Sequence, residues 1–138
     1  MLVKQYDYLP DDAINIRKEV FVLEQGFQDE FDENDTQAKH FVGYINDTPI
    51  ATCRVFFDSE IQSYVVGRLA VMKVYRGSGL GNAILKNAEN CIKESGGTKV
   101  MLSGQVRVSE FYKKQGYQTQ GNIFMDQDCP HIWMFKEL

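Results

Sequence analysis

The sequence predicts a mixed α/β (α+β) fold, in which a mostly antiparallel central sheet is flanked by helices. Short strand-like runs alternate with segments of helical periodicity, and turn-forming residues separate them along the chain. The chain has 138 residues, of which 43% are apolar and 25% are charged, as in an ordinary globular protein. Because no linker, repeat or low-complexity tract interrupts this pattern, residues 1–138 are predicted to form a single domain.

The N-terminal segment is predicted to contain a strand, a helix and an acidic loop. Residues 2–6 are typical of a strand, and Asp11 or Asp12 provides a cap for a helix that runs to about Glu24. Residues 27–39 are rich in carboxylates and poorly periodic, which indicates a loop or a short turn of helix. We expect this acidic run to be a solvated face rather than a site.

Three strands and a long helix are predicted in the middle of the chain. Strands over residues 40–45 and 50–57 flank an Asn-Asp-Thr-Pro sequence that is typical of a hairpin turn, and a third strand covers residues 62–72. The helix begins near Leu80, because apolar residues recur on one stripe from there to Ile92. A Ser-Gly-Gly sequence then ends it.

The C-terminal segment is predicted to add a strand, a helix and a hairpin. A short buried strand covers residues 99–102, and a helix follows over residues 106–115. Two strands, at residues 117–125 and 131–135, then surround a turn at residues 126–130.

The most informative segment connects the third strand to the long helix, and its sequence is Arg76-Gly77-Ser78-Gly79-Leu80-Gly81. A helix that begins here directs unpaired N–H groups and the positive end of its dipole at a bound ligand. The glycines expose these N–H groups, and Arg76 adds a positive charge, so the segment favours a phosphate. It lacks the Gly-Lys-Ser/Thr ending of a P-loop and the spacing of a dinucleotide-binding fold. A plain turn between a strand and a helix is the structural alternative.

A second pattern, Phe111-Tyr112-Lys113-Lys114-Gln115-Gly116-Tyr117, follows the first after about 35 residues. An Arg-x-x-Gly-x-Gly loop after a strand, followed by an aromatic-Tyr pair and a Gly-aromatic step, resembles the two signatures of the GCN5-related N-acetyltransferase (GNAT) family. Nearly the whole chain also resembles the small, single-domain ElaA-like or YjcF-like branch of this family. The similar segments are residues 17–25, which end in Glu24-Gln25, the acidic loop, the strand at His40, Gly67-Arg68 and Pro130-His131.

The resemblance implies a GNAT acyltransferase fold, with two central strands that splay apart to receive acetyl-CoA as the acyl donor, and no metal ion. The backbone of the preceding strand, at Leu69, Ala70 and Val71, would pair with the pantetheine arm. Loop amides would hold the pyrophosphate; the loop residues are Arg76, Gly77, Ser78, Gly79, Leu80 and Gly81. Gln105 stands where many members have an Asn that contacts the cofactor, and a weak contact is expected there.

The resemblance also implies that Tyr112 is the general acid that protonates the departing thiolate. A phenol has a reference pKa near 10, so it is protonated at neutral pH. Many relatives carry a Glu base on the strand before the glycine loop, but residues 65–71 contain no acid. Glu24, His40 and His131 are therefore the candidate bases. Each also has a structural explanation, as a solvated helix end or as a histidine at the end of a strand.

The acceptor is expected to be the primary amine of a small molecule, and its class stays open. Arg54, Arg68 and Arg107 would favour an anionic acceptor if their side chains project into the cleft. The acidic run at residues 29–35 instead favours a cationic amine. A non-catalytic acetyl-CoA sensor or interaction module is an alternative, and an enzyme similar to acyl-homoserine-lactone synthases is a lower-ranked one.

Composition argues against several other classes of protein. The net charge of −4 argues against a nucleic-acid-binding role. No apolar run approaches the roughly 20 residues of a membrane span, and the N-terminus is too polar for a signal peptide, so we expect a cytoplasmic protein without a membrane partner. Three widely spaced cysteines imply neither a disulfide framework nor a metal site. A homodimer is compatible with these features.

Overall fold

The computed structural model describes residues 1–138. It contains seven strands, β1 (Leu2–Tyr6), β2 (Lys39–Ile45), β3 (Thr48–Asp58), β4 (Ser63–Val71), β5 (Lys99–Gln105), β6 (Gln118–Asp126) and β7 (Cys129–Glu137). They form one sheet in the order β1-β2-β3-β4-β5-β7-β6. All neighbouring strands are antiparallel except β4 and β5, which are parallel. The predicted mixed fold with a mostly antiparallel sheet is therefore confirmed.

Four α-helices accompany the sheet: α1 (Asp11–Arg17), α2 (Asn34–Gln37), α3 (Leu80–Glu94) and α4 (Ser109–Lys114). Short 3-10 turns cover Lys73–Tyr75 and Val106–Val108, so the helix predicted over residues 106–115 begins as a 3-10 turn. None of the helices combines the length and the apolar character that crossing a membrane requires.

The predicted first helix is present, but it changes its geometry halfway. α1 continues directly into a π-helix over Lys18–Glu24. The wider turn is visible in the bond from the Gln25 N–H to the Val20 carbonyl, which spans five residues at 3.2 Å. Such π segments often occur at functional sites, and both of these side chains line the cavity described below.

Different helices cover the two faces of the sheet. α3 buries its predicted apolar stripe, with Ile84 and Ile92 inaccessible to solvent. Ile16 of α1 packs in a second cluster. Phe41 belongs to the α3 cluster and its neighbour Val42 to the α1 cluster. Because successive strand residues point to opposite faces, the two helices lie on opposite sides of the sheet.

Two-residue turns close the β2–β3 and β6–β7 hairpins. The φ angles are 50° and 65° at Asn46 and Asp47, and 49° and 64° at Gln127 and Asp128. Paired left-handed residues are what a type I′ turn requires. The first turn agrees with the sequence prediction, whereas the second is shorter than predicted, because β6 extends to Asp126.

The parallel contact between β4 and β5 is short. It consists of two residue pairs, Tyr64 with Val100 and Val65 with Met101. Beyond these pairs the two strands diverge. A β-bulge against β3, at which Arg68 has a φ of 53°, bends β4 within the diverging part. The predicted splay of the central strands is therefore present.

The acidic loop is not the solvated face that its composition suggests. Glu30 and Asp35 are buried, and arginines from three separate elements converge on the loop. Arg17 belongs to α1, Arg54 to β3 and Arg68 to β4. The prediction of a solvated run is therefore wrong for these carboxylates, because it could not include partners that are distant in sequence.

These charges form a single ionic cluster, defined as Arg17, Glu30, Asp32, Asp35, Arg54 and Arg68. Arg17 donates to Glu30 at 2.8 Å and to Asp35 at 2.7 Å. Arg54 donates to Asp32 at 2.6 Å and to Asp35 at 2.8 Å. The cluster contains three cations and three anions, so it fixes the loop on the sheet without a net charge.

We expect Asp35→Asn to lower the free energy of unfolding by about 3–5 kcal/mol, because it leaves two buried arginines undercompensated. Asp29→Asn, which changes an exposed carboxylate of the same loop, should shift it by less than about 0.5 kcal/mol. Denaturant unfolding at neutral pH measures both variants. Similar losses in the two variants would contradict a special role for the cluster.

The effect of Asp35 should also depend on pH. Burial alone would raise the pKa of Asp35, but hydrogen bonds from Arg17, from the Asp32 N–H and from Arg54 outweigh it and hold the pKa well below its usual value. The stabilisation is therefore complete above about pH 4 and is lost as the pH falls through the lower, folded-state pKa. The difference between the parent and Asp35→Asn should shrink in acid.

Candidate active site

A cavity of about 250 Å³ occupies the slot between the diverging ends of β4 and β5. Residues 66–71 of β4 and 102–105 of β5 form two of its walls. The other walls come from the end of the π-helix, the acidic loop, α4 and the β6–β7 turn. Side chains from these walls include Phe21, Gln25, Phe27, Tyr112, Gln127 and His131.

The β4 wall offers an unpaired strand edge. Leu69, Ala70 and Val71 line the cavity, as expected for residues that contact a cofactor. β4 pairs with β5 no further than Val65. The edge that faces the slot is therefore open to an extended ligand, in the manner of an added strand.

The glycine loop presents an uncovered anion site at the start of α3. Gly77 and Gly79 have φ angles of 91° and 81°, and a Cβ atom at either would have no neighbour within 4 Å. The first helical bond joins the Ala83 N–H to the Gly79 carbonyl at 3.1 Å. The N–H groups of residues 80–82 consequently lack intrahelical partners. This arrangement is suited to a bound phosphate or pyrophosphate group.

Arg76 directs its guanidinium at Glu24. Its two terminal nitrogens donate to the two oxygens of Glu24 at 2.7 Å each, and its Nε donates to the Val71 carbonyl at 2.8 Å. The hydrogen bond from Arg76 lowers the pKa of Glu24. This bidentate pair ties the glycine loop to the end of the π-helix and makes Glu24 a weaker proton acceptor than an unpaired carboxylate.

Tyr112 lies in the wall of the cavity with its ring against β5. A Cβ atom on Gly104 would lie 3.2 and 3.3 Å from two carbons of the Tyr112 ring, so this glycine leaves space for the ring. The buried side-chain N and O atoms without a partner are Arg54 Nε and Asn82 Oδ1. The Tyr112 hydroxyl also forms no hydrogen bond within the chain, but it is not among these fully enclosed atoms, and Tyr112 lines the cavity. Burial raises the pKa of Tyr112.

A buried anchor fixes the end of α4. The Tyr117 hydroxyl donates to Glu89 Oε2 at 2.7 Å, and Lys136 Nζ donates to Glu89 Oε1 at 3.1 Å. The Tyr117 ring also packs edge-on against that of Tyr112, with 5.9 Å between their centroids. Because Glu89 belongs to α3, this anchor connects the tyrosine of the cavity to the helix that begins at the glycine loop.

Gln105 connects the two sides of the cavity. Its Nε2 donates to Gln25 Oε1 at 2.8 Å, and its Oε1 accepts from Arg107 Nε at 2.8 Å. These bonds fix the orientation of the Gln105 amide. Gln25 is thus a cavity residue whose partner lies 80 positions away along the chain.

The β6–β7 turn completes the wall opposite β4. Gln127 Oε1 accepts hydrogen bonds from the N–H groups of Gln28 and Asp29, at 2.8 and 3.2 Å. The C-terminal hairpin is thereby attached to the acidic loop, and His131 is held beside both. Sequence reasoning gave no signal for this contact, because one polar residue in a turn is ordinary.

The two histidines have different environments. His131 lines the cavity, and its Nδ1 lies 2.9 Å from the Cys129 carbonyl. Because a carbonyl accepts only, Nδ1 carries the proton of the neutral ring and Nε2 carries the lone pair. His40 instead lies buried beside the ionic cluster, where Nε2 donates to the Asp35 carbonyl at 2.9 Å. Burial lowers the pKa of His40.

The three arginines considered for an anionic acceptor also differ. Arg54 is buried in the ionic cluster and does not line the cavity. Arg68 lines the cavity, and Arg107 is an exposed side chain at its rim. The acidic run does not favour a cationic amine as a whole, because arginines neutralise three of its carboxylates, those of Glu30, Asp32 and Asp35.

Comparison with known proteins assigns the class. A family model described as the acetyltransferase (GNAT) domain matches residues 7–138. The chain therefore belongs to the GNAT acetyltransferase family, as its two signatures predict. Within that family it resembles YjcF, an N-acetyltransferase of Bacillus subtilis, with 32% identity over 129 residues that cover 91% of each chain.

Solved structures agree with this assignment. An acyl-CoA N-acyltransferase of Pseudomonas aeruginosa has a TM-score of 0.83 and 26% identity, covering 98% of this chain and 97% of that chain. An aminoglycoside 6′-N-acetyltransferase in complex with coenzyme A shares the fold, with a TM-score of 0.78 and 16% identity over 99% of this chain and 97% of that chain. Acyl transfer from a coenzyme A donor is the reaction of this class.

We expect Gly79→Val to weaken acetyl-CoA binding about 10- to 100-fold, because its side chain would cover N–H groups that bind phosphate. Gly96→Val is a matched control at the other end of α3, since Gly96 also has a left-handed φ, 86°, and an open Cβ position. Both variants should lose about 1–2 kcal/mol of stability from backbone strain. Calorimetry on folded protein should show the affinity loss only for Gly79→Val; equal affinities in the two variants would contradict the placement.

Proposed function

We propose that this protein transfers the acetyl group of acetyl-CoA to the primary amine of a small-molecule acceptor, with Tyr112 as the general acid. The observation that carries the proposal is the unpartnered hydroxyl of Tyr112, a residue that lines the cavity between β4 and β5. An acid for the departing thiolate must be protonated and free to donate, and this hydroxyl is both.

The cofactor is proposed to occupy the slot and the glycine loop. The open edge of β4 at residues 69–71 would hold the pantetheine arm, and the N–H groups of residues 77–82 would hold the pyrophosphate. Acetyl-CoA supplies the activated thioester, so the residues of the chain need only align the acceptor and move protons. Gln105 and Gln25 would border the reacting end of the slot.

Tyr112 suits the role of acid for two reasons. Burial raises the pKa of the phenol, which keeps it protonated at neutral and moderately alkaline pH. Its ring is fixed by Gly104 on one side and by the Tyr117 ring on the other, so the hydroxyl has a defined position. The O–H bond would break as the sulfur of the leaving group takes the proton.

His131 is the base that the geometry favours among the three candidates. Its Nε2 bears the lone pair of the neutral ring and has no partner in the chain, and the residue lines the cavity. Glu24 is engaged by Arg76 and has a lowered pKa. His40 lies outside the cavity and is bonded to the Asp35 carbonyl. We therefore propose that His131 Nε2 takes the ammonium proton.

The two alternative functions predict different reactions with acetyl-CoA. A sensor or interaction module would bind acetyl-CoA without releasing thiol in the presence of any amine. An enzyme similar to acyl-homoserine-lactone synthases would release thiol only with S-adenosylmethionine. Thiol release measured with a panel of amines and with S-adenosylmethionine therefore separates the three hypotheses. We further propose that residues 1–138 act as one N-acetyltransferase domain.

Tyr112→Phe should lower kcat about 100-fold, near the low end for general-acid assistance, because a thiolate is a good leaving group. Acetyl-CoA affinity should change little, since the ring and its packing remain. Steady-state thiol release and calorimetry provide the two measurements. Tyr8→Phe removes an exposed hydroxyl outside the cavity and should match the parent.

Two results would contradict the assignment of Tyr112. A kcat within about threefold of the parent would leave water as the proton donor. A loss of acetyl-CoA affinity that accounts for the whole defect would make Tyr112 a packing residue.

His131→Gln should lower the rate most at a pH below the pKa of the acceptor amine, because the amine is then mostly protonated and needs a base. The deficit should shrink as the pH approaches the amine pKa. A pH profile of kcat/KM for the parent and the variant measures this. A deficit that is constant with pH would indicate that His131 positions the acceptor and does not remove its proton.

A further inference from the structure

Arg68 has an unusual backbone conformation for its place in the fold. It lies inside β4 with a left-handed φ of 53°. The other non-glycine residues with positive φ all lie in turns; they are Asn46, Asp47, Gln62, Gln127 and Asp128. A left-handed residue with a Cβ atom is strained, and such strain is concentrated at functional sites. The backbone conformation at this position determines the direction in which the Arg68 side chain leaves β4.

Arg68 is also the least compensated arginine of the ionic cluster. Its side chain is 26% exposed, against 1% for Arg17 and 5% for Arg54. Its ion-pair distances are 3.0 Å to Glu30 and 3.3 Å to Asp32, whereas Arg17 holds Glu30 at 2.8 Å and Arg54 holds Asp32 at 2.6 Å. Nη1 of Arg68 has no acceptor in the chain, so it is available to a ligand.

The place of Arg68 connects it to the reaction. It lines the cavity on β4, next to the segment that would hold the pantetheine arm. The cation at the glycine loop, Arg76, is engaged by Glu24, and Arg107 is bonded to Gln105. A planar guanidinium binds the oxygens of carboxylate and phosphate groups in a fixed geometry. Arg68 is therefore positioned to select the acceptor.

We propose that Arg68 Nη1 binds an anionic oxygen of the acceptor, so that the preferred acceptor is a primary amine that also carries a carboxylate or a phosphate. The proposal rests on the acetyl transfer proposed above. It names Arg68 as a specificity-determining residue, with Glu30 and Asp32 holding its Nε and Nη2 and leaving Nη1 free.

Pairs of acceptors with and without an anionic group test the proposed role of Arg68 on the parent protein. The members of each pair differ in the anion: an α-amino acid and its amide, and an amino-sugar phosphate and its free amino sugar. Because the anion also changes the pKa of the amine, kcat/KM is compared per concentration of unprotonated amine. The anionic member of at least one pair should have a kcat/KM about 10- to 100-fold higher, the effect of one charge-assisted hydrogen bond. The pair that shows the preference identifies carboxylate or phosphate. Equal values in both pairs, or a preference for diamines that would point to Glu30, would overturn the proposal.

Arg68→Asn removes the guanidinium while keeping a residue type that tolerates left-handed φ. It should raise the KM for the anionic acceptor about 10- to 100-fold and leave the neutral analogue within about threefold. Arg68→Lys should restore part of the preference, because it keeps the charge without the planar fork. Lys86→Gln, on the exposed face of α3, removes the same charge and should retain the parent preference. Equal losses for the anionic and neutral acceptors would overturn the role of Arg68.

Calorimetry with acceptors and the protein–coenzyme A complex measures the same preference without turnover. If no amine gives thiol release, acetyl transfer fails, and tighter binding of the anionic member still supports the role of Arg68. If transfer occurs and binding is indifferent to the anion, the role of Arg68 fails alone. If Arg68→Asn does not fold, the matched acceptors on the parent still decide.

Discussion

The short contact between β4 and β5 is the constraint on which the rest of the site depends. Backbone N–H and C=O groups in a sheet need partners, and the strands supply them to each other only as far as Val65 and Met101. Beyond that point β4 has an unpaired edge in the middle of the sheet, where a strand would ordinarily be paired on both sides. Arg76 at the start of the glycine loop and Tyr112 both line this opening, so one feature of the fold determines where the site lies.

The ionic cluster explains how the opening keeps its shape. Burying Arg17 and Arg54 with Glu30 and Asp35 is costly, and a well-packed apolar replacement is often equally stable. Stability alone is therefore a weak reason for the cluster. The pKa values of its carboxylates are shifted in opposite directions. Burial raises the pKa of Glu30 although three arginines oppose this, whereas the pKa of Asp35 is lowered. What the cluster provides is a fixed wall, because the acidic loop is attached to three elements of the sheet and helix layer at once.

Local patterns in the sequence predicted the local parts of the structure. The apolar stripe from Leu80 to Ile92 predicted α3. The glycine loop and the pattern around Tyr112 together predicted the family and, through it, the slot between the central strands. The missed features depend on contacts between distant residues, such as the 52 positions that separate Glu24 from Arg76. A carboxylate at a helix end looks solvated until its partner is placed. The tautomer of His131 and the π-helix likewise depend on geometry that residue types do not encode.

The bond between Gln127 and the backbone at residues 28–29 has a consequence for how the molecule is assembled. It closes a loop of 98 to 99 residues, whereas β3, β4 and α3 are neighbours along the chain. Contacts of long sequence separation cost more chain entropy and form late in folding. During synthesis the glycine loop also leaves the ribosome well before residue 127. A nascent chain would therefore complete the glycine loop before it closes the cavity wall that the β6–β7 turn forms.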